Sequence, residues 1–156
     1  MAQPMALLGW ATVLTTNQKG ALAEGVITCE AIRFGIDVFK AVMDARYDLV
    51  FDLGVRLLRV QCKTAVVRGD VVVIRCYSAR RSAEGLLKRV YTSSEVDAIA
   101  AYSPELDQCF LIPIARVDGR SDISLRLRPT RNCQRHGINW AEDYEFAATL
   151  SRLQGP

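Results

Sequence analysis

Apolar positions along the chain change their spacing several times, and each change marks an element. Over residues 19–34 they recur at helical intervals and set Leu22, Val26 and Cys29 on one face. Thr16 and Asn17 precede this run as candidate N-caps and Gly35 follows it as a C-cap, which predicts an amphipathic helix closed at both ends. Glu24 lies off the apolar stripe.

A short apolar run with charges interspersed, residues 36–42, predicts a first strand. Residues 47–51 and 55–63 flank the turn residues Asp52, Leu53 and Gly54 and predict a β-hairpin. The valine-rich stretch 70–77, opened by Gly69, is expected to add a third strand to the same sheet. Residues 78–94 are polar and basic and predict a loop with some helix. Residues 98–102 and 109–114 predict two strands around a Ser103-Pro104-Glu105 turn, residues 123–127 a further strand, and residues 140–153 a closing helix. The apolar leader, residues 1–13, predicts an extra helix packed on the core or an oligomer contact. Helix first, several strands next and a mixed remainder together predict an α/β fold with a mixed sheet.

Size and composition narrow this. A chain of 156 residues, 50% of them hydrophobic, is expected to fold as one domain over residues 1–156, with residues 1–16 an N-terminal extension. A formal charge of +3 permits a nucleic-acid partner without requiring one. The distribution says more. Arg75, Arg80, Arg81, Lys88 and Arg89 face only Glu84 nearby, and Arg120, Arg126, Arg128, Arg131 and Arg135 are diluted only by Asp122. Such clusters are either solvated strand edges and loops or phosphate-binding surfaces, since a guanidinium fork matches phosphate geometry. The five cysteines are widely spaced and form no CxxC pair, which argues against a zinc site or a disulfide framework. No positive leader and no run of about 20 apolar residues appears, so a soluble chain in a reducing cytoplasm, away from membrane, is expected.

Side chains alternate along a strand, so Gln61 and Lys63 point the same way while Val60 and Cys62 point the other. Folding the hairpin about Asp52 to Gly54 brings Asp48 opposite a position within roughly two residues of Gln61. An acid, an amide and an amine then meet in one patch. Arg59 and Asp52 alternate onto the same face, as they would on the exposed side of an ordinary hairpin.

The segments Lys19-Gly20, Glu24, Tyr47-Asp48-Leu49-Val50 and Val60-Gln61-Cys62-Lys63-Thr64 resemble, in order and spacing, the motifs of the PD-(D/E)XK nucleases. The branch they resemble includes the group I intron homing endonucleases of cyanobacteria, in which the helix carries KGxxxE, the hairpin carries YDLV, and glutamine replaces the usual acid to give QxK. Val96-Asp97, Tyr102 to Asp107, Ile112-Pro113-Ile114 and Leu125 to Asn132 extend the resemblance over residues 19–146. Two positions depart from the superfamily: Cys62 stands where valine is common, and Tyr47 where the naming proline would be.

The resemblance implies a restriction-endonuclease-like core, a central mixed sheet flanked by helices, and hydrolysis of double-stranded DNA with Mg2+, for which Mn2+ substitutes. Glu24, Asp48, Gln61 and Lys63 would form the catalytic set, with Asp48, Gln61 and Glu24 as metal ligands and Lys63 beside the scissile phosphate. A homodimer or homotetramer is implied, because two strands need two sites. Lys19, Arg80, Arg81, Arg126, Arg128, Arg131, Asn132, Gln134 and Arg135 are the candidate DNA contacts; Arg, Asn and Gln can hydrogen-bond base edges. Two alternatives stay open: a junction-resolving nuclease, a type that shares the helix Glu, strand Asp and xK arrangement but usually keeps an acid where Gln61 stands, and a catalytically silent DNA-binding protein on the same scaffold. His136, the one histidine, has no nucleophile or acid constellation near it in sequence and is expected to be a loop residue.

Overall fold

The computed structural model describes residues 13–132, 134 and 136–155, so all but the last residue of the apolar leader lies outside the described residues. Its elements run α1 (Thr16–Arg33), β1 (Asp37–Lys40), β2 (Leu49–Asp52), β3 (Leu57–Thr64), β4 (Val66–Arg68), β5 (Val71–Arg75), β6 (Tyr77–Ser82), β7 (Gly85–Val90), β8 (Ala98–Ser103), β9 (Gln108–Pro113), β10 (Asp122–Arg126) and α2 (Phe146–Gln154).

Thr15, one residue before the expected caps, starts α1. Its hydroxyl accepts the Gln18 N–H at 3.2 Å while the Gln18 side chain accepts the Thr15 N–H at 2.9 Å, a reciprocal capping box. Gly35 ends the helix at φ 74°, where its N–H reaches the Ile32 carbonyl and the Ile36 N–H reaches the Ala31 carbonyl. The buried stripe is Ala23, Ile27 and Ala31; Leu22 and Val26 only flank it, and Cys29 is exposed. Two alanines let the helix lie close on the sheet with Ile27 between them, so the buried stripe is turned from the one the pattern picked out. That rotation puts Glu24, next to Ala23, at the edge of the buried face.

The central sheet has the order β1-β2-β3-β8-β9, antiparallel throughout except between β3 and β8. Both helices cover one face, where Ile27, Leu49, Phe51, Val60, Leu111 and Phe146 form a core. The second face packs on β5 and β10 through Val72, Ile74, Ile99, Phe110, Ile112 and Leu125. β8 lies between the two cores, with all six of its residues buried.

Three expectations change. Residues 70–77 do not join the central sheet: β8 takes the free edge of β3, and β5 becomes the middle strand of a separate sheet, β10-β5-β4. Residues 78–94 hold an antiparallel hairpin, β6–β7, instead of loop with helix; Ser82 pairs with Gly85 at its turn. The final helical pattern is broken at Glu145, extended at ψ 142° and bridged to Phe110, so a 3-10 turn (Ala141–Tyr144) precedes α2.

Phe51 is fully buried and meets Phe146 edge-on with ring centroids 6.0 Å apart. Phe51→Ala is expected to cost about 3–5 kcal/mol in urea unfolding, because the packed core closes only partly over the lost ring.

Candidate active site

Asp48 sits at the mouth of β2, one step beyond the Leu49–Val60 pair. Its N–H still reaches the Val60 carbonyl at 3.0 Å, while its carboxylate turns across to β3: Oδ2 accepts the Cys62 N–H at 2.9 Å and the Gln61 Nε2 donor at 2.6 Å. Gln61 Nε2 also lies 3.3 Å from the Cys62 carbonyl oxygen. Asp48, Gln61 and the Cys62 main chain thus converge on one point.

Lys63 follows on the same face, half-buried, donating from Nζ to the Tyr77 carbonyl at 2.9 Å and lying 4.9 Å from the centre of the Tyr91 ring. This part of the hairpin face is therefore covered, with Gln61 only 9% exposed. Arg59, farther along, is tied to Asp97 by two 3.0 Å bonds.

Glu24 reaches the site from the helix layer on the opposite face, where its carboxylate pairs with Lys40 of β1. It bears on Asp48 through charge. Burial lifts the Asp48 carboxyl above its ordinary value and Glu24 adds to this, while the Cys62 N–H, Lys63 and Lys40 pull it back. Burial lowers the Lys63 ammonium, which Asp48 partly restores. Lys40 is raised by its hydrogen bond to Glu24.

Lys40, Arg46 and Tyr91 went unnoticed in the sequence. Arg46, two residues before Asp48, donates to Ser78 Oγ at 2.7 Å and the Val90 carbonyl at 3.0 Å, pairs with Glu95 at 3.1 Å, and stacks on Tyr91 at 4.3 Å. Its closeness to Asp48 in sequence was an available signal; nothing in the sequence tied Tyr91 to Lys63, 28 positions earlier.

Among the described residues no three His, Cys, Asp or Glu side chains converge. Glu24 is engaged by Lys40, so the oxygens that could hold a cation at this point are those of Asp48 and its neutral neighbours. A half-turn of the Gln61 amide exchanges its donor for its acceptor, adding Oε1 to the Asp48 carboxylate and the Cys62 carbonyl. Such an all-oxygen set fits Mg2+ or Mn2+.

The candidate DNA contacts divide among three places. Arg80 and Arg81 ride the β6–β7 hairpin, and Lys19 is exposed on α1, its carbonyl 3.4 Å from the Thr64 hydroxyl at the end of β3. Arg126, Thr130, Gln134 and Asn139 line a cleft of about 350 Å³ beside β10, with Arg131 and Asn132 exposed nearby. Arg126 donates to the Arg128 carbonyl at 2.9 Å, and Arg128 lies 4.0 Å from Asp70. Arg135 lies outside the described residues; His136 is exposed in the same loop. Among the described residues no helix is long and apolar enough to cross a membrane.

A protein-family model described as PD-(D/E)XK endonuclease matches residues 14–147. A solved bacterial homing endonuclease, I-Ssp6803I, superposes with a TM-score of 0.73 at 25% identity, over 91% of this chain and 96% of that one, which gives the chain a restriction-endonuclease-like fold. No curated protein matches the sequence.

Asp48 ionises against its burial, so relative to Asp48→Asn the wild type carries a cost in the absence of metal. That cost is absent below the ordinary Asp range and grows as pH rises through the lifted value, because the folded state holds the proton longer. Thermal melts in EDTA at pH 7 are expected to show Asp48→Asn melting higher than wild type, with the difference vanishing towards pH 3.

Proposed function

This chain belongs to the PD-(D/E)XK endonuclease family, and from that premise we propose that it cuts specific sequences in double-stranded DNA with Mg2+ held at Asp48. The observation that carries the metal assignment is the convergence of the Asp48 carboxylate, the Gln61 amide and the Cys62 carbonyl on one point beside Lys63. Sequence specificity of the homing kind is supported by the likeness to a homing endonuclease along nearly the whole chain.

When bound, the divalent ion neutralises the phosphate and acidifies the attacking water. The protein's part is placement. Asp48 and Gln61, on adjacent strands, would hold the ion, with the Cys62 carbonyl as a further oxygen donor. Lys63 spends one of its three N–H donors on the Tyr77 carbonyl, leaving two for phosphate oxygens as negative charge builds on them. Burial leaves its ammonium readier to part with a proton than a surface lysine, which suits it to orient the nucleophilic water. Glu24, neutralised by Lys40, contributes field or a bridging water.

Cleavage of both strands requires two such sites, so the working unit is a homodimer or homotetramer. The single carboxylate among the first donors makes the site's charge low, and a relatively high Mg2+ requirement follows.

Asp48→Ala and Lys63→Ala are each expected to lower Mg2+-dependent nicking of mixed plasmid DNA by at least ~100-fold, while binding to the same DNA in EDTA stays within a few fold. Full nicking by either variant sinks the assignment. Gln61→Glu adds a negative ligand, and the Mg2+ concentration for half-maximal nicking is expected to fall; an unchanged requirement removes Gln61 from the metal site.

A further inference from the structure

The β6–β7 hairpin stands apart from both cores. It is a two-stranded sheet of its own, and among the described residues no third strand pairs with either edge. Residues paired across it share a face: Arg81 with Leu86 on one side, Arg80 with Leu87 on the other. Farther back, Lys88 covers the Tyr77 ring at 4.9 Å and Arg89 pairs with Glu95. Nearer the turn, Arg80 and Arg81 have no carboxylate within ion-pair distance among the described residues, and Glu84 is the one acid in the hairpin. Leu86 and Leu87 beside them are 58% and 51% exposed.

The roots of this ribbon are fixed to the site. The Tyr77 carbonyl holds Lys63 Nζ, Tyr91 packs against the same ammonium, and Arg46 binds Ser78 Oγ and the Val90 carbonyl. The direction in which the hairpin leaves the active site is therefore set by the contacts that place Lys63.

Two strands about 5 Å apart form a body that a DNA major groove about 12 Å wide admits. Six-residue strands extend it by about 20 Å. We propose that β6–β7 enters the major groove of the duplex whose phosphate is presented to Lys63, with Arg80 and Arg81 contacting base edges and flanking phosphates and Leu86 and Leu87 supplying apolar contact. The inference rests on the endonuclease reading and deepens it by naming the element that reads the substrate. A polyanionic groove matches leucines set among unneutralised arginines, whereas the same ribbon on a second copy brings like charge. At 3.4 Å per base pair the ribbon covers about six base pairs from the cut.

The test compares wild type, R80A/R81A and L86S/L87S on duplexes carrying a randomised stretch. One arm selects bound duplexes in EDTA; the other cuts with Mg2+ and sequences the ends. Wild type is expected to show base preference within about six base pairs of the cut, and R80A/R81A to flatten it there by about tenfold. Wild-type preference retained in R80A/R81A with uniformly weaker binding overturns the ribbon, and so does a change in sedimentation of L86S/L87S, which would make the hairpin an interface between copies. The arms separate the two readings. Preference lost in R80A/R81A without any cutting by wild type supports the ribbon and overturns the nuclease assignment; cutting with unaltered preference does the reverse.

Discussion

The parallel pairing of β3 with β8 governs most of what is distinctive in this molecule. Parallel neighbours cannot be joined by a tight turn, so the chain between them must leave the sheet and return. Here the detour is residues 65–97, and it builds β4, β5 and the β6–β7 hairpin on the face opposite the helices. The strand that carries Gln61 and Lys63 is thereby covered by chain that it itself sends out.

Coverage sets the electrostatics of the site. Burial disfavours the charged form of Asp48 and of Lys63 alike, and each charge partly restores the other. Folding holds an acid and a base at an electrostatic cost, offset by the Cys62 N–H, the Tyr77 carbonyl and the faces of the surrounding side chains. Glu24 and Lys40 form a second pair across the helix–sheet boundary, whose near neutrality lets Glu24 stand close to Asp48. Such preorganised charge is the usual expense of chemistry on a phosphodiester.

Local patterns were legible where local physics decides. The glycine stop of α1, the turn at Asp52 to Gly54 and the hairpin of β8 and β9 all emerge from side-chain period and turn chemistry. The shared face of Gln61 and Lys63 followed from alternation, and the approach of Asp48 to Gln61 from folding the hairpin about its turn. Sheet membership did not, because a valine-rich strand such as β5 carries no mark of which edge it will find. The hairpin of β6 and β7 was hidden for a different reason: with both faces wet, it lacks the polar–apolar alternation that betrays a half-buried strand. Tyr91 and Arg46 act through contacts that close across the crossover, and Lys40 gains its place from Glu24 on the preceding helix, a pairing that strand alternation does not reveal.

The hairpin's isolation from both cores has an evolutionary side. Gly85 at φ 124° apart, a change between Ala79 and Leu87 opens no cavity and strands no buried polar group, since those side chains are exposed and only Tyr77, Ser78 and the residues from Arg89 to Tyr91 meet the site. Substitutions there escape the stability threshold that restrains β3 or β8. The segment can therefore drift, or be exchanged between relatives, while the carboxylate, amide and ammonium beneath it keep their positions.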